Sequence, residues 1–387
     1  MYIKRTLTSY IKRMLTKFPI VSITGPRQSG KTTLLKNEFP DYKYFNLERI
    51  DHRQLIMNDP VGFLKTSGEN LIFDEAQNYP DLFSYLQIFS DERNIPGQYI
   101  LSGSQSFLLN EKISQSLAGR VSINHLLPFD IIELQDIKTN NVYEEIYNGF
   151  YPRVIEHGIN PDDFYPSYLQ TYIERDVRTL KAIGNLNTFT RFISLCAGRV
   201  GQILNISSLA NDAGISVNTA KSWLSLLEAS FIIYMLPPFF KNFNKRLIKS
   251  PKIYFYDTGL VCSLLRITES NMISTHYLYG NLFENLVISE IVKFQYHHGR
   301  NPGIYYWRDS NGVEIDCIME KGNNEIFAIE IKGGQTFSNE YMKNLKKLQK
   351  LNIKMDSKII YTGEISTSIS GVELIAWKDF KSFLLKM

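Results

Sequence analysis

Apolar residues gather into short unbroken runs in the first third of the chain and into helical stripes beyond it. Pro19–Thr24 (PIVSIT), Leu71–Asp74 (LIFD) and Tyr99–Ser102 (YILS) are such runs, each ending in polar side chains. They predict parallel strands buried on both faces, and Tyr42–Leu47 (YKYFNL) is a further candidate. Helical stretches separate them. The first is at the N-terminus, where Ile3, Leu7, Ile11 and Met14 recur with basic residues between them. Strands alternating with helices predict an α/β sheet whose ligands gather at the carboxyl ends of the strands.

The pattern changes after about Leu134. Gln135–Asn185 reads as helical and aromatic, with a turn at Gly149-Phe150-Tyr151-Pro152, and Leu186–Pro251 as a compact helical unit with a basic tail. Within that unit Ile206–Leu224 has the grammar of a helix-turn-helix. Leu209, Ala210 and Ala213 form one apolar face, Gly214 supplies a left-handed turn, and Ser216 caps a second helix. Val217, Ala220, Leu224 and Leu227 are expected to face inward from it. From Lys252 onward the order reads helix (Tyr277–Phe294, strongly amphipathic), three strands (Tyr305–Arg308, Val313–Met319, Ile326–Lys332), helix (Asn339–Leu351) and strand (Lys358–Tyr361).

Composition is that of an ordinary globular protein, with 44% hydrophobic and 21% charged residues among 387. A net charge of +4 is too small to imply a nucleic-acid partner without local clustering. Cys196, Cys262 and Cys317 are odd in number and far apart, so they suit neither a disulfide framework nor a zinc site. His297-His298 reads as a solvated helix end. The longest apolar run, Phe231–Phe240, holds two prolines and is too short for a bilayer. The N-terminus has no uninterrupted apolar core. A cytoplasmic protein with no membrane partner is the expectation.

Chemistry enters at Gly25-Pro26-Arg27-Gln28-Ser29-Gly30-Lys31-Thr32, which fits G-x-x-x-x-G-K-[ST] between a strand and a helix that continues through Thr33. Backbone N–H groups of such a loop converge at a helix N-terminus, where polyphosphate is the expected occupant. Lys31 would reach the β- and γ-phosphates and the Thr32 hydroxyl would ligate Mg²⁺. Asp74-Glu75 ends a later strand, placing Asp74 for the same Mg²⁺ and Glu75 for the attacking water. Ser102, Ser104 and Gln105 follow the next strand as candidate phosphate sensors. Arg120 is a candidate arginine finger, acting from the same or a neighbouring subunit. No guanine-reading Asn-Lys-x-Asp motif follows, so ATP is the expected nucleotide.

The succession GPRQSGKTTL, LIFDEAQ, ILSGSQSFLL, SLAGR, LPFD and YLQTYIERDV resembles AAA-type ATPases of bacteria and archaea that carry a conserved C-terminal domain of unknown function. The likeness runs over nearly the whole chain. It implies an AAA-like core with Lys31, Thr32, Asp74 and Glu75 as its working residues, and it makes Arg120 the preferred finger.

Two further constellations lie downstream. Asn218, Thr219, Lys221 and Ser222 occupy the early polar positions of the second helix of the helix-turn-helix, which such motifs present to the major groove. A wing would follow from Phe231 to Lys252. It carries Lys241, Lys245, Arg246, Lys249 and Lys252 among Phe239, Phe240 and Phe243, with no carboxylate. In the last segment, Glu330 and Lys332 of Glu330-Ile331-Lys332 share one strand face, and Asp316 stands on the neighbouring strand. This set resembles the PD-(D/E)xK nucleases, with Glu284 as the helical acid and a divalent cation held by Asp316, Glu330 and Glu284. Lys343, Lys346, Lys347 and Lys350 add a basic stripe.

The expected organisation is α/β. A P-loop NTPase core with helices on both faces of a parallel sheet spans 1–134, including an amphipathic helix at 1–18. A helical connector (135–185), a winged helix-turn-helix (186–251) and a restriction-endonuclease-like domain (252–387) follow. The expected function is a Mg²⁺-dependent ATPase whose cycle controls a DNA-directed half. The alternative is an ATP-driven switch for protein partners with a catalytically silent nuclease-like fold. Expected partners are ATP, duplex DNA, and either a second copy of the chain or another protein.

Overall fold

The computed structural model of the chain describes residues 2–104, 116–135, 141–172, 185–239, 250–322, 325–350 and 354–387. Gln105 and the basic run Lys241, Lys245, Arg246 and Lys249 lie outside the described residues. The chain divides into two compact units. One holds residues up to Phe129 with 229–231 and 295–301, and the other holds the remainder.

The first unit is built on five strands, β1 (Ile20–Thr24), β2 (Lys43–Asn46), β3 (Leu71–Asp74), β4 (Tyr99–Gly103) and β5 (Val121–His125). All pair in parallel, in the order β2-β3-β4-β1-β5. Its helices are α1 (Leu7–Leu15), α2 (Lys31–Glu38), α3 (Ile50–Asn58), α4 (Pro60–Ser67) and α5 (Leu82–Arg93). Alternate residues of one strand enter opposite cores. Ile72 and Ile100 join Leu7, Ile11, Met14, Leu34 and Leu35 of α1 and α2. Their neighbours Leu71, Phe73, Tyr99 and Leu101 join Ile56, Leu64, Leu82 and Leu86 of α3, α4 and α5. Both faces are therefore covered, as runs of apolar residues without alternation require.

The second unit opens with α6 (Val142–Asn148), α7 (Pro152–His157), α8 (Pro161–Tyr172) and α9 (Leu186–Ala197). Next come α10 (Ile206–Ala213) and α11 (Val217–Ala229), joined by Gly214 at φ 73°. Ser216 Oγ accepts the Thr219 N–H at 3.1 Å, capping α11 as expected. Val217, however, is exposed, and the buried stripe begins a turn later with Ala220, Trp223, Leu224 and Leu227. A two-stranded antiparallel ribbon follows, β6 (Ile233–Leu236) with β7 (Lys252–Phe255).

After α12 (Thr258–Leu264) and α13 (Tyr279–His297) comes a six-stranded mixed sheet. It contains β8 (Ile304–Arg308), β9 (Glu314–Gly322), β10 (Glu325–Lys332), β11 (Lys354–Tyr361), β12 (Thr367–Ile369) and β13 (Val372–Ala376), with α14 (Lys343–Gln349) and α15 (Phe380–Leu384). Strands β8, β9 and β10 form an antiparallel meander, while β10, β11 and β13 run parallel. Helix α13 departs from the amphipathic expectation, since 285–294 are all buried. Its polar letters are paired internally: Glu290 binds Lys293, and the Asn285 side chain bonds the backbone of Phe255 through both its oxygen and its amide. Among the described residues, no helix is long and apolar enough to cross a membrane.

Candidate functional site

The loop between β1 and α2 is shaped by steric necessity. A Cβ on Gly25, at φ 157°, would lie 2.0 Å from the Leu126 carbonyl oxygen, so only glycine fits against the strand exit. Gln28 and Gly30 also take positive φ, of 61° and 94°, curling the loop before α2 begins at Lys31. Pro26 and Ser29 are buried, Arg27 is half-buried, and Gln28 and Thr33 are exposed. Lys31 is buried and donates to the Gly25 and Pro26 carbonyls at 2.9 and 2.8 Å, folded onto the loop it serves.

Asp74, at the carboxyl end of β3, is the hub of the site. It accepts from Thr32 Oγ1 at 2.7 Å, from the Tyr44 hydroxyl at 2.5 Å and from Ser102 Oγ. Burial, and then the bond to Asp74, raise the Tyr44 phenol above its ordinary pKa. Thr32 and Asp74 thus bring two hard oxygen donors together beside the loop, a donor set that fits Mg²⁺. Glu75 follows in the left-handed region at φ 55°, an uncommon conformation for a non-glycine residue and one that clusters at working sites. Its Oε2 accepts from Gln77 at 2.5 Å and from the Ser104 hydroxyl and N–H at 3.0 and 3.3 Å. The two serines read as phosphate sensors therefore hold the two carboxylates.

Arg120 is placed elsewhere. Its carbonyl accepts the Ile20 N–H at 3.2 Å, which puts it at the amino ends of β1 and β5. The loop lies at the other end of β1, roughly 16 Å away at the usual rise per strand residue. Arg120 makes a two-point ion pair with Asp91 of α5, at 2.5 and 2.8 Å. In this placement Arg120 does not reach the loop of its own chain.

Some contributors carry no motif. Arg5 is buried, donates to the Ser29 and Leu127 carbonyls at 2.7 Å each, and lies 4.7 Å from the Phe129 ring centroid. It buckles the loop to the segment after β5. His125, ending β5, sits 2.7 Å from the Thr24 hydroxyl that precedes Gly25, and burial pushes its pKa down to about 4. His297 is also buried, its Nε2 accepting the Leu127 N–H at 3.2 Å, and is not the solvated helix end expected.

The carboxylates of the second unit converge as the sequence pattern anticipates. Asp316 and Glu330 are buried, and Lys332 binds both, at 3.1 Å from Asp316. The Ile331 N–H adds a 2.8 Å bond to Asp316. Burial would raise Asp316, but Lys332, Lys252 and this N–H outweigh it and hold the group below its usual value. Glu330 is pushed up to about 8, by burial first and by Asp316 next. Lys252 corrects the wing assignment. It is buried, not a phosphate-tracking cation, and binds Glu284 at 2.9 Å and Glu314 at 2.5 Å, 3.9 Å from Asp316. The Tyr254 hydroxyl also donates to Glu284. On α11, Asn218, Lys221 and Ser222 are exposed, while the half-buried Thr219 shares its hydroxyl with the Ser216 cap at 2.8 Å.

A parallel sheet with a glycine loop, a buried lysine and a Thr32–Asp74 pair at its carboxyl edge defines a P-loop nucleotide-binding protein. Residues 17–135 match the AAA domain, and 139–271 and 279–380 match two domains of unknown function. An uncharacterized protein of Mycobacterium tuberculosis is 30% identical over 338 residues, covering 86% of this chain and 74% of its own length. A Mycobacterium bovis protein matches equally. Among solved structures, the Walker-type ATPase of Pyrococcus abyssi is 14% identical with a TM-score of 0.44, covering 67% of this chain and 95% of its own. The chain belongs to the same family as these mycobacterial proteins, and its residues 17–135 carry the AAA domain.

Proposed function

We propose that the first unit binds ATP with Mg²⁺ and hydrolyses it, and that the cycle governs a DNA-directed second unit. The observation that carries the ATPase reading is the Asp74 hub, which joins Thr32, Tyr44 and Ser102 beside the glycine loop. Loop N–H groups and Lys31 bind the β- and γ-phosphates, Lys31 exchanging its carbonyl partners for phosphate oxygens. Thr32 and Asp74 hold Mg²⁺, which supplies positive charge against the charge that develops on the phosphates. Glu75, held by Gln77 and Ser104, orients the attacking water and accepts its proton. Arg120 stands away from the loop of its own chain, which favours a role at the site of a neighbouring copy.

The exposed Asn218, Lys221 and Ser222 on the second helix of the helix-turn-helix support duplex DNA as the partner of the second unit. The test pairs calorimetry with turnover. Lys31→Ala should lose tight ATP binding, and Glu75→Gln should bind ATP yet stop hydrolysing it. Normal turnover in Glu75→Gln would remove that role, and folded wild-type protein that takes up no adenine nucleotide would end the reading. Turnover that responds to duplex DNA, with DNA affinity falling as salt rises, supports the second half of the proposal. Indifference to DNA favours the protein-partner switch.

A further inference from the structure

The carboxylate–lysine cluster of the second unit already contains its own cation. Glu284 of α13, Glu314 and Asp316 of β9 and Glu330 of β10 converge from three elements, the arrangement in which a divalent cation is expected. The position among Glu284, Glu314 and Asp316 is instead taken by the Lys252 ammonium, 2.9, 2.5 and 3.9 Å from their oxygens. Lys332 covers the opposite side, on Asp316 and Glu330. Arg308 caps the outer oxygen of Glu314 at 2.9 Å. Four carboxyl groups thus face three cations. A divalent ion entering beside Lys252 would stand against a like charge in a buried setting, where screening by water is weak.

We propose that Lys252 is a built-in counter-ion: it and a divalent cation exclude one another from the same carboxylates, and in the wild-type chain Lys252 is the occupant. The donor set as it stands therefore does not fit the metal that the acid pattern suggests. Lys252 opens β7 and pairs across the ribbon with Leu236, so its position is set by the ribbon and not by the mixed sheet that carries Glu314, Asp316 and Glu330. The site changes its cation only if the start of β7 moves.

Mn²⁺ binding to nucleotide-free full-length protein, followed by electron paramagnetic resonance, tests this. Lys252→Ala should bind Mn²⁺ more tightly than wild type by roughly tenfold or more, and adding Asp316→Asn to that variant should remove the gain. Wild-type protein binding Mn²⁺ as tightly as Lys252→Ala, in an Asp316-dependent way, overturns the proposal. So does a folded variant that acquires no site. Lys252→Met keeps the buried stem and replaces the alanine variant if that one unfolds. Should both unfold, amine acylation of metal-free wild-type protein decides, read by mass spectrometry. Lys252 protected relative to the exposed Lys343 and Lys346 supports an internal counter-ion, and labelling at their rate overturns it.

Discussion

His125 shows how a residue without a motif enters the site. Its ring is buried at the end of β5, against the Thr24 hydroxyl and with the Phe231 and Tyr296 rings 5.2 and 4.9 Å away. The folded pKa of about 4 lies below the ordinary value of about 6.5 for an exposed histidine, so the unfolded chain binds the extra proton first. The stabilising contribution is complete above about 6.5 and is lost as the pH falls toward 4, on the order of 3 kcal/mol. Hydrogen exchange of the β1 and β5 amides, corrected for intrinsic rates, should lose protection between pH 7 and 5 in wild type. His125→Gln should flatten that loss, and an equal acid loss in both proteins would assign it to other groups. The glycine loop with Lys31, and the Asp74-Glu75 pair, were legible because each stands in a short contiguous motif. Arg5 and His125 were not, since their partners lie 24 to 122 residues away and a lone arginine or histidine has no spacing to read.

At the scale of elements, periodicity located four of the five strands of the first sheet, missing β5, and the paired helices α10 and α11, but it misjudged which faces are covered. Trp223 was passed over, yet it is buried on α11 with its ring 5.1 and 5.3 Å from Phe189 and Phe192 of α9. Trp223→Ala should destabilise the second unit by about 3–5 kcal/mol through the cavity it leaves, measured by urea unfolding followed with circular dichroism. Lys221→Ala, on the exposed face of the same helix, should leave stability within about 0.5 kcal/mol and weaken duplex DNA binding. If Lys221→Ala leaves DNA affinity untouched across salt concentrations, this face is not the DNA surface. Helix α13 was misread because Asn285, Glu290 and Lys293 resemble a wet face in one dimension. Their partners are supplied by other elements and by each other. Strand β12, of three residues, is too short to carry a period.

At the scale of the molecule, the position of Arg120 makes a statement about assembly. Strands β1 and β5 run parallel from Ile20 and Val121, so Arg120 stands at the edge of the sheet opposite the glycine loop. From there the arginine is placed for the nucleotide site of another copy of the chain, as proposed above, and it is paired with Asp91 of α5. If that is its role, Arg120→Ala should lower turnover by roughly 10²-fold or more while ATP binding by the same chain persists. Asp91→Ala, which removes the pair but keeps the guanidinium, should retain most of the turnover. The decisive measurement is a mixture. Arg120→Ala has an intact loop and Lys31→Ala an intact arginine, so shared assemblies contain sites built from the good halves of both. Mixed protein should hydrolyse ATP faster than the sum of the two variants, and wild-type specific activity should rise with concentration. Full turnover by Arg120→Ala alone, or a mixture no better than its parts, would reduce Arg120 to a surface ion pair and leave the site complete within a single chain.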